Sequence, residues 1–406
     1  MTPQKALGAS LPLIVLLGIL TATDALSIDM YLPAFSAIQG RFGADAAALQ
    51  FSLSLFLIGL AVGQAVYGPV IDRFGRRVPL LVGIGIFTIA SVLIAAAPDT
   101  ETFLIGRFVQ GLGGAAGLVI PRAIVADLFE ERQAAKVFSM LMQVMAVGPI
   151  IAPLLGGFFV SYGHWTAIFW TLAGVGLLSG LAVIRMVPES LPPSQRQKLG
   201  MGASLGAYVA LFGHRRFMAL TLSGSFVIAG LFSYISGAAF VFTDYFALSP
   251  AVFSYIFAAI AASMIICGQL NVFLLGRVSE SRLLSLGLSL HMAATASLLI
   301  VLMLGLTSFW LVTGLILLSV ATLSLILGNV TSLIMSAVPG ESGVSSALFG
   351  VIQYAFGGLA GVLMGLLHDQ TIRPLAIMMA ACALLALICW RFARDVQAVE
   401  GKKAAI

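Results

Sequence analysis

Long apolar runs alternate along this chain with short stretches that are rich in charge, glycine and proline. Each run holds about 20 mostly apolar residues, which is the length that a helix needs to cross the hydrocarbon core of a bilayer. Twelve such runs lie at about residues 11–36, 48–70, 78–97, 102–126, 135–160, 163–187, 217–242, 251–274, 281–304, 308–335, 342–367 and 374–392. The pattern therefore predicts an all-α membrane protein with twelve transmembrane helices.

The composition agrees with this pattern. Hydrophobic residues make up 60% of the chain and charged residues 9%, whereas soluble domains are about half apolar and a quarter charged. A water-soluble globular protein is thereby excluded. The first run continues past Met30 without a small-residue cleavage pattern, and a second run follows closely. We therefore expect a retained span and not a removable signal peptide.

Basic residues are distributed unevenly between the predicted loops. Of the 21 Lys and Arg residues, 17 lie on the side of the N-terminus, two (Arg41 and Arg373) lie on the opposite side, and Arg107 and Arg122 lie inside spans. Because Lys and Arg accumulate on the cytoplasmic side of membrane proteins, both termini are predicted to be cytoplasmic. The net charge of +5 follows from this bias and gives no reason to expect a nucleic-acid partner.

The longest connection divides the spans six and six. It contains Pro188, Pro192, Pro193 and Arg196, and a short interfacial helix is predicted near 203–212. The predicted organisation is an N-terminal six-helix bundle (1–187), a cytoplasmic linker (188–216) and a C-terminal six-helix bundle with a short tail (217–406). Two such bundles with a substrate site between them are typical of transporters. Because one chain supplies both bundles, a monomer is the expected working unit.

The loop after the second span combines glycine, acid and arginine at fixed offsets. The residues are Gly68, Asp72, Arg73, Gly75, Arg76 and Arg77. The glycine permits close helix contact, the acid suits the positive end of a helix, and the arginines suit acids or lipid phosphates. Such a cluster can hold the cytoplasmic side closed. The alternative, a simple positive anchor, needs only the arginines.

The fourth and fifth spans carry two further motifs. The fourth span reads Arg107, Phe108, Val109, Gln110, Gly111, Leu112, Gly113, Gly114, with Arg122 further along. The fifth span concentrates helix-kinking and small residues at Gly148, Pro149, Pro153, Gly156 and Gly157. Glycine and proline at this density loosen a helix and permit close contact with a neighbour.

These motifs resemble those of a known family. The loop at 68–77 resembles the signature loop of the major facilitator superfamily, 107–114 its fourth-helix motif, and 148–157 the fifth-helix motif of its proton-coupled exporters. The segment 27–34 (Ser-Ile-Asp-Met-Tyr-Leu-Pro-Ala) is similar to the first span of the Bcr/CflA branch of bicyclomycin- and chloramphenicol-resistance transporters. The resemblance implies the major facilitator fold, drug/proton antiport and a bacterial inner membrane. The second-half loop at 268–282 departs from the signature.

Ionisable residues inside a bilayer are expensive and are therefore functional candidates. The sequence indicates Asp24, Asp29, Arg107 and Arg122, with no His or Glu among them. Asp29 and Arg107 both fall in the outer half of the membrane, whereas Arg122 lies about 22 Å further along its helix, near Asp127. Burial disfavours a charged carboxyl group and a nearby guanidinium favours it. We hypothesise that Asp29 alternates between a protonated state and an ionised state stabilised by Arg107.

Other roles for these residues remain open. Asp29 also suits a structural ion pair or a capping carboxylate before Pro33, and Arg107 a packing anchor. Asp24 lies about 140° around the helix from Asp29, so the two acids do not share one narrow face. Either acid is a candidate for the coupling proton.

Substrate contacts are expected from aromatic and amide side chains in the spans. The candidates are Tyr31, Phe226, Tyr234, Asn329, Gln353 and Tyr354. For each aromatic residue, packing against neighbouring helices is the competing interpretation.

The function predicted best is proton-coupled export of small amphipathic compounds, antibiotics among them, by alternating access. The alternative is proton-coupled export of a metabolite such as an amino acid, short peptide or sugar. The sequence lacks the polar rings that line a channel pore and the cluster of catalytic residues that an enzyme needs. It also lacks the phosphate-binding loop of a nucleotide-driven pump. Neither a cofactor nor a metal is expected, and Cys267, Cys382 and Cys389 lie in apolar runs without metal spacing.

Overall fold

A computed structural model of the chain describes residues 11–196, 201–338 and 342–404, and these residues form helices joined by short connections, with no strand among them. Of the basic residues that predict the orientation, Lys5 and Lys198 lie outside the described residues.

The first span is interrupted in its second half. Helix α1 (Leu11–Asp29) ends at a buried acid, a 3₁₀ turn follows at Leu32–Ala34, and α2 (Phe35–Phe42) completes the span. Pro33 lies in the 3₁₀ turn. Proline has no N–H to donate and disfavours the α conformation of the residue before it, so the helix stops just ahead of it.

Five long helices complete the first six spans. They are α3 (Ala46–Phe74), α4 (Arg77–Ala95), α5 (Thr100–Leu128), α6 (Glu131–Ser161) and α7 (Thr166–Met186). The Asp45 carboxylate accepts from Ala48 N at 2.8 Å, and the Asp99 carboxylate accepts from Thr102 N at 2.8 Å. The bond from the Thr102 amide lowers the pKa of the Asp99 carboxyl group below its ordinary value. These caps fix where α3 and α5 begin.

A 3₁₀ turn at Pro193–Gln195 and the short helix α8 (Met201–Phe212) precede the second set of spans. The spans are α9 (Arg215–Ala239) with a π-helical end at Phe240–Tyr245, α10 (Pro250–Leu275), α11 (Glu280–Met303), α12 (Phe309–Ala337), α13 (Ser342–Leu366) and α14 (Arg373–Ala404). Helix α8 lies where the short interfacial helix was predicted.

Twelve helices within the described residues are long and apolar enough to cross a membrane, which confirms the predicted fold class. Large apolar side chains on these helices face outward, for example Ile266 at 73% and Trp310 at 81% exposure. Such exposure suits a lipid environment, in which apolar surface carries no penalty. Several helices extend beyond the apolar runs, as α3 does to Phe74, because polar residues at the membrane surface can continue a helix.

The described residues fall into two compact units, within Met1–Met201 plus Ser249–Ala258 and within Gly202–Leu248 plus Ala259–Ile406. In unit 1, α1 packs against α5, α6 and α7, while α4 packs against α5 and α7. In unit 2, α9 packs against α12, α13 and α14, while α11 packs against α12 and α14. The same neighbour relations therefore recur in both sets of six spans.

Helix α5 lies unusually close to its neighbours in unit 1 because glycines on the facing helices let the backbones touch. A Cβ on Gly111 would overlap the backbone carbonyl of Phe56 in α3, and a Cβ on Gly59 of α3 would overlap that of Phe108. On the side of α4, a Cβ on Gly113 would overlap the backbone of Phe87. Backbone contact of this kind is available only without side chains, and it fixes α3, α4 and α5 to one another.

The first prediction concerns this packing. Replacement Gly111→Ala should lower the unfolding free energy of the purified protein by about 1–3 kcal/mol, because the added methyl group forces α3 and α5 apart. Thermal unfolding in detergent measures the change. Gly85→Ala is the matched control, since a Cβ at Gly85 meets no atom within 4 Å and Ala is the better helix former. Equal stability of the two variants would contradict the packing argument.

Candidate functional site

The side chain of Arg107 is buried in unit 1, in the first half of α5, and is 0% exposed. Its Nη1 donates to the backbone carbonyl of Ser27 at 3.2 Å and to Gln110 Oε1 at 2.6 Å. Gln110 is held in turn, because its Nε2 donates to Ser91 Oγ in α4 at 2.9 Å. The amide of Gln110 therefore presents its oxygen to the guanidinium group and links α5 to α4, while Arg107 itself reaches α1.

Aromatic rings surround the same guanidinium group. The Arg107 Cζ atom lies 4.5 Å from the ring centre of Tyr31, 4.4 Å from that of Phe56 and 6.0 Å from that of Phe169. These separations are within the range of cation–π attraction. The rings of Tyr31, Phe56 and Phe169 therefore contribute to the electrostatic stabilisation of this buried cation.

Tyr31 contacts Arg107 through its ring, and its hydroxyl group makes hydrogen bonds within unit 1. Its hydroxyl group donates to the Leu49 carbonyl of α3 at 2.9 Å and lies 2.5 Å from Ser52 Oγ. The residue is 0% exposed. The role of Tyr31 as a substrate contact stays a prediction.

The two predicted acids lie nearby on α1 and are both buried, Asp24 at 5% and Asp29 at 4% exposure. Asp29 is the last residue of α1, directly before the interruption of the span. Among the described residues, no ion pair within 4.0 Å joins Asp29 to Arg107. The structure therefore brings the acids and the arginine into one unit without pairing Asp29 with Arg107 in this conformation. The Nε and Nη2 atoms of Arg107 also have no hydrogen-bond partner in the described part of the chain.

The fifth-span motif lies in α6 and contacts this interrupted segment. A Cβ on Gly156 would overlap the Met30 carbonyl, one residue after Asp29, and a Cβ on Gly148 would lie 3.1 Å from Ala25 Cβ. Pro149 and Pro153 lie inside α6, and Gly157 is buried. Two of the small residues of the motif thus let α6 lie directly against the end of α1.

A polar cluster forms where α3 ends, α4 begins and α5 ends. Arg76 Nε donates to Asp127 Oδ2 at 2.9 Å, and its Nη1 donates to Asp72 Oδ1 at 2.9 Å and to the Ile71 carbonyl at 2.7 Å. Ser190 Oγ also donates to Asp127, at 2.7 Å. Arg76 thereby ties the end of α3 to the end of α5.

Glu189 completes this cluster and was missed by the sequence reasoning. Its carboxylate accepts from the backbone N–H groups of Arg76 at 2.8 Å, Arg77 at 3.3 Å and Leu191 at 3.1 Å. It caps the start of α4, where the N-cap residue itself makes no side-chain cap. Gly75 has φ +91°, and a Cβ there would overlap the Glu189 carboxylate. The sequence signal for this contact was that Arg76, at the start of α4, cannot cap the helix itself, so that an acid from elsewhere in the chain is needed.

The remaining residues of the predicted gate motif, and Arg122, lie apart from the contacts of Arg76. Arg77 Nη2 donates to the Ile184 carbonyl of α7 at 2.5 Å, and the Arg73 guanidinium group lies 5.3 Å from the Phe74 ring centre. Gly68 is half-buried. Arg122 is exposed, and Asp127 is bound by Arg76 and Ser190.

The substrate candidates of unit 2 take part in packing. Phe226 stacks on Phe356 with ring centres 5.1 Å apart, and Tyr354 lies 6.1 Å from the Phe232 ring. Tyr234 is 2% exposed and Gln353 is half-buried.

Asn329 links two helices of unit 2 at a buried position. Its Nδ2 donates to Asn271 Oδ1 of α10 at 2.9 Å and to the Leu325 carbonyl at 2.8 Å. Both amide hydrogens of Asn329 are therefore used inside the unit.

One membrane-embedded ionisable residue corrects the sequence-based set. His291 lies inside α11 and is 2% exposed, with Nδ1 at 3.1 Å from the Ser319 carbonyl and 3.3 Å from Thr322 Oγ1 of α12. The expectation that no histidine lies in a span is therefore wrong. Because a carbonyl only accepts, Nδ1 carries the proton. His291 ties α11 to α12 within unit 2.

Comparison with known proteins assigns the family. A sequence model described as Major Facilitator Superfamily matches residues 17–362. The chain belongs to the major facilitator superfamily. Members of this superfamily are multi-pass transporters, so the apolar helices lie in a lipid bilayer and the substrate is a small molecule.

Two relatives match this transporter along most of its length. The chain is 36% identical over 381 residues to YdgK, an uncharacterised MFS-type transporter of Bacillus subtilis, covering 92% of this chain and 93% of the relative. It is 28% identical over 379 residues to a bicyclomycin resistance protein homolog of Haemophilus influenzae, covering 93% and 95%. The second relative carries the name of the branch that the first-span segment resembles.

The fold of this transporter also matches a solved structure. The crystal structure of a D-xylose–proton symporter has a TM-score of 0.76 with this chain, covers 94% of this chain and 97% of its own, and is 15% identical. The predicted major facilitator fold is confirmed.

The second prediction tests the capping role of Glu189. Replacement Glu189→Ala should lower the unfolding free energy of this transporter by about 1–3 kcal/mol, because the backbone donors at the start of α4 lose a charged acceptor. Thermal unfolding in detergent measures the loss. Asp395→Ala, which removes an exposed acid from α14, is the control and should leave stability within about 0.5 kcal/mol. A Glu189→Ala variant as stable as the control would rule out a capping role.

Proposed function

We propose that this transporter exports small amphipathic compounds, antibiotics among them, in exchange for protons. It works by alternating access as a monomer in the bacterial inner membrane, with both termini in the cytoplasm. The proton gradient is its energy source, and it uses no cofactor, metal or nucleic acid. The proposed organisation is two six-helix bundles, 1–187 and 217–406, joined by the linker 188–216.

The observation that carries this proposal is the buried charge of Arg107 beside a span that holds two buried acids. A charge inside the membrane is expensive, and such residues are kept where ions or protons move. Asp24 and Asp29 are 5% and 4% exposed, and Arg107 is 0% exposed. Acids in such a setting bind and release protons as their surroundings change.

In the proposed cycle, Asp29 is the acid that exchanges the proton. When it is protonated, it needs no counter-charge, and Arg107 stays bound to the Ser27 carbonyl and Gln110. When it is ionised, a carboxylate bond to the open Nε and Nη2 donors of Arg107 stabilises it. The interruption after Asp29 and the glycine contact of α6 at Met30 supply the place where the first span can change its path.

The energy available to one proton is sufficient for this cycle. Moving a charge through a membrane potential yields about 2.3 kcal/mol per 100 mV, and each pH unit adds about 1.4 kcal/mol. A tenfold gradient of a neutral solute requires about 1.4 kcal/mol. One proton per cycle therefore supports useful export.

The cytoplasmic cluster of Asp72, Arg76, Asp127 and Glu189 is proposed as the inner gate. Its bonds connect the ends of α3 and α5 with the start of α4. Since charge-assisted hydrogen bonds are roughly twice as strong as neutral ones, this cluster stabilises one arrangement of the inner ends until other contacts replace it.

The proposed drug substrates rest on the branch resemblance of 27–34 and on the relative named for bicyclomycin resistance. Sequence motifs report the coupling machinery and leave the binding pocket undefined, so a metabolite is the competing substrate class.

The third prediction tests proton coupling. Energised everted vesicles that contain the native transporter should release protons when a substrate drug is added, and Asp29→Asn should abolish this release because the side chain no longer titrates. A pH-sensitive dye measures proton movement. Asp244→Asn, at an exposed acid near the end of the seventh span, is the control and should behave as the native protein.

The other outcomes assign the function differently. Release that survives in Asp29→Asn and disappears in Asp24→Asn moves the coupling role to Asp24. Release with amino acids, short peptides or sugars, and with none of the drugs, identifies a metabolite exporter. Transport that proceeds without proton movement contradicts antiport.

A further inference from the structure

We propose that Tyr31 and Phe56 form a neutral counter-site for Arg107, which keeps its charge buried while no carboxylate binds it. The two rings are positioning residues that set the pH at which the acids of the first span exchange their proton. This inference rests on the proposed function.

The hydrogen bonds of Arg107 are too few for a buried cation. A guanidinium group has five N–H donors, and in the described part of the chain Arg107 uses Nη1 toward Ser27 and Gln110, while Nε and Nη2 have no partner. Both of its acceptors are neutral. The rings of Tyr31 and Phe56, whose centres lie 4.5 and 4.4 Å from Cζ, are the nearest aromatic faces. They supply electron-rich surface where an anion is missing.

The positions of the rings are fixed independently of Arg107. The Tyr31 hydroxyl group is bound to the Leu49 carbonyl and lies beside Ser52, both in α3. Phe56 lies in α3 at the point where its own carbonyl touches Gly111 of α5. The rings of Tyr31 and Phe56 are each less than 2% exposed. The counter-site is therefore built into the contact between α3, α5 and the first span.

The charge itself cannot be removed, because an arginine side chain stays protonated in proteins. Only its surroundings can change. The helical stretches packed around it, 46–66 of α3, 78–95 of α4 and 166–184 of α7, contain no ionisable residue, nor does the rest of 102–121 in α5. Asp24 and Asp29 are the acids of α1, the helix whose Ser27 carbonyl Arg107 binds, and Tyr31 is the remaining titratable group. Ring and carboxylate are thus the two alternative partners of one permanent cation.

This arrangement changes the balance of proton exchange. If only a carboxylate stabilised Arg107, then protonating that carboxylate would leave a bare buried cation, and proton binding would require a low pH. With the rings in place, the cation keeps a partner when the carboxylate becomes neutral. Loss of a ring should therefore favour the ionised, paired state of the acid and shift proton exchange to lower pH.

The fourth prediction is a shift in the pH profile. In proteoliposomes, the pH at half-maximal drug-induced proton release should fall by about one unit in Tyr31→Leu and in Phe56→Leu, the size expected for one desolvated cation–π contact. Tyr31→Phe keeps the ring and should match the native profile. Phe103→Leu is the packing control, because Phe103 is equally buried and lies 6.4 Å from the Tyr31 ring but not over the guanidinium group.

If the leucine variants do not fold, a replacement that preserves the shape of the ring still tests the counter-site. Pentafluorophenylalanine at position 56 retains the shape of the ring and removes the negative character of its face, so it should shift the profile in the same direction as Phe56→Leu. Unchanged midpoints in the folded ring variants, or an equal shift in Phe103→Leu, overturn the counter-site.

Failure of the proposed function has a separate signature. If the native protein releases no protons with any drug, infrared spectroscopy of the protonated carboxyl C=O band against pH tests the inference without substrate. The band is assigned by its loss in Asp29→Asn and Asp24→Asn. Its midpoint should lie at lower pH in the position-56 variants than in the native protein, and an unchanged midpoint contradicts the inference.

Discussion

The permanent positive charge of Arg107, buried among apolar helices, is the constraint on which the first unit depends. In a low-dielectric interior such a charge must be compensated nearby. Much of the sequence around it serves that need: Gln110 turns its oxygen inward, Ser91 holds Gln110 in that orientation, Ser27 offers a carbonyl, and rings cover the faces. Helices α1, α3, α4, α5 and α7 each contribute a group to the surroundings of this one side chain.

Glycine packing makes this compensation possible. The contacts of Gly111 with α3 and of Gly113 with α4 leave no room for side chains between the backbones. Short interhelical distances in turn let Phe56 and Ser91 reach α5 from either side. The motif glycines of the fourth span therefore position the site even though they carry no functional group of their own. The glycines of α6 act similarly on the end of α1.

Part of this arrangement follows from local sequence. Apolar run lengths identify the twelve spans, and the motif at 68–77 predicts a charged cluster, because both depend on residues close in the chain. Phe56, Glu189 and His291 were not anticipated. Their roles depend on which helices become neighbours. Phe56 reaches the guanidinium group from another helix, and Glu189 reaches a helix start more than a hundred residues away. Pro33 was the only sequence signal for the interruption after Asp29.

The inner cluster has a consequence for how the chain is made. In the proposed orientation, the arginines of 73–77 are among the positive charges that keep a loop in the cytoplasm while a chain inserts. Once the unit folds, Arg76 is bound to Asp72 and Asp127, and Arg77 donates to the Ile184 carbonyl. The same side chains therefore act first as a topological signal during insertion and later as structural partners.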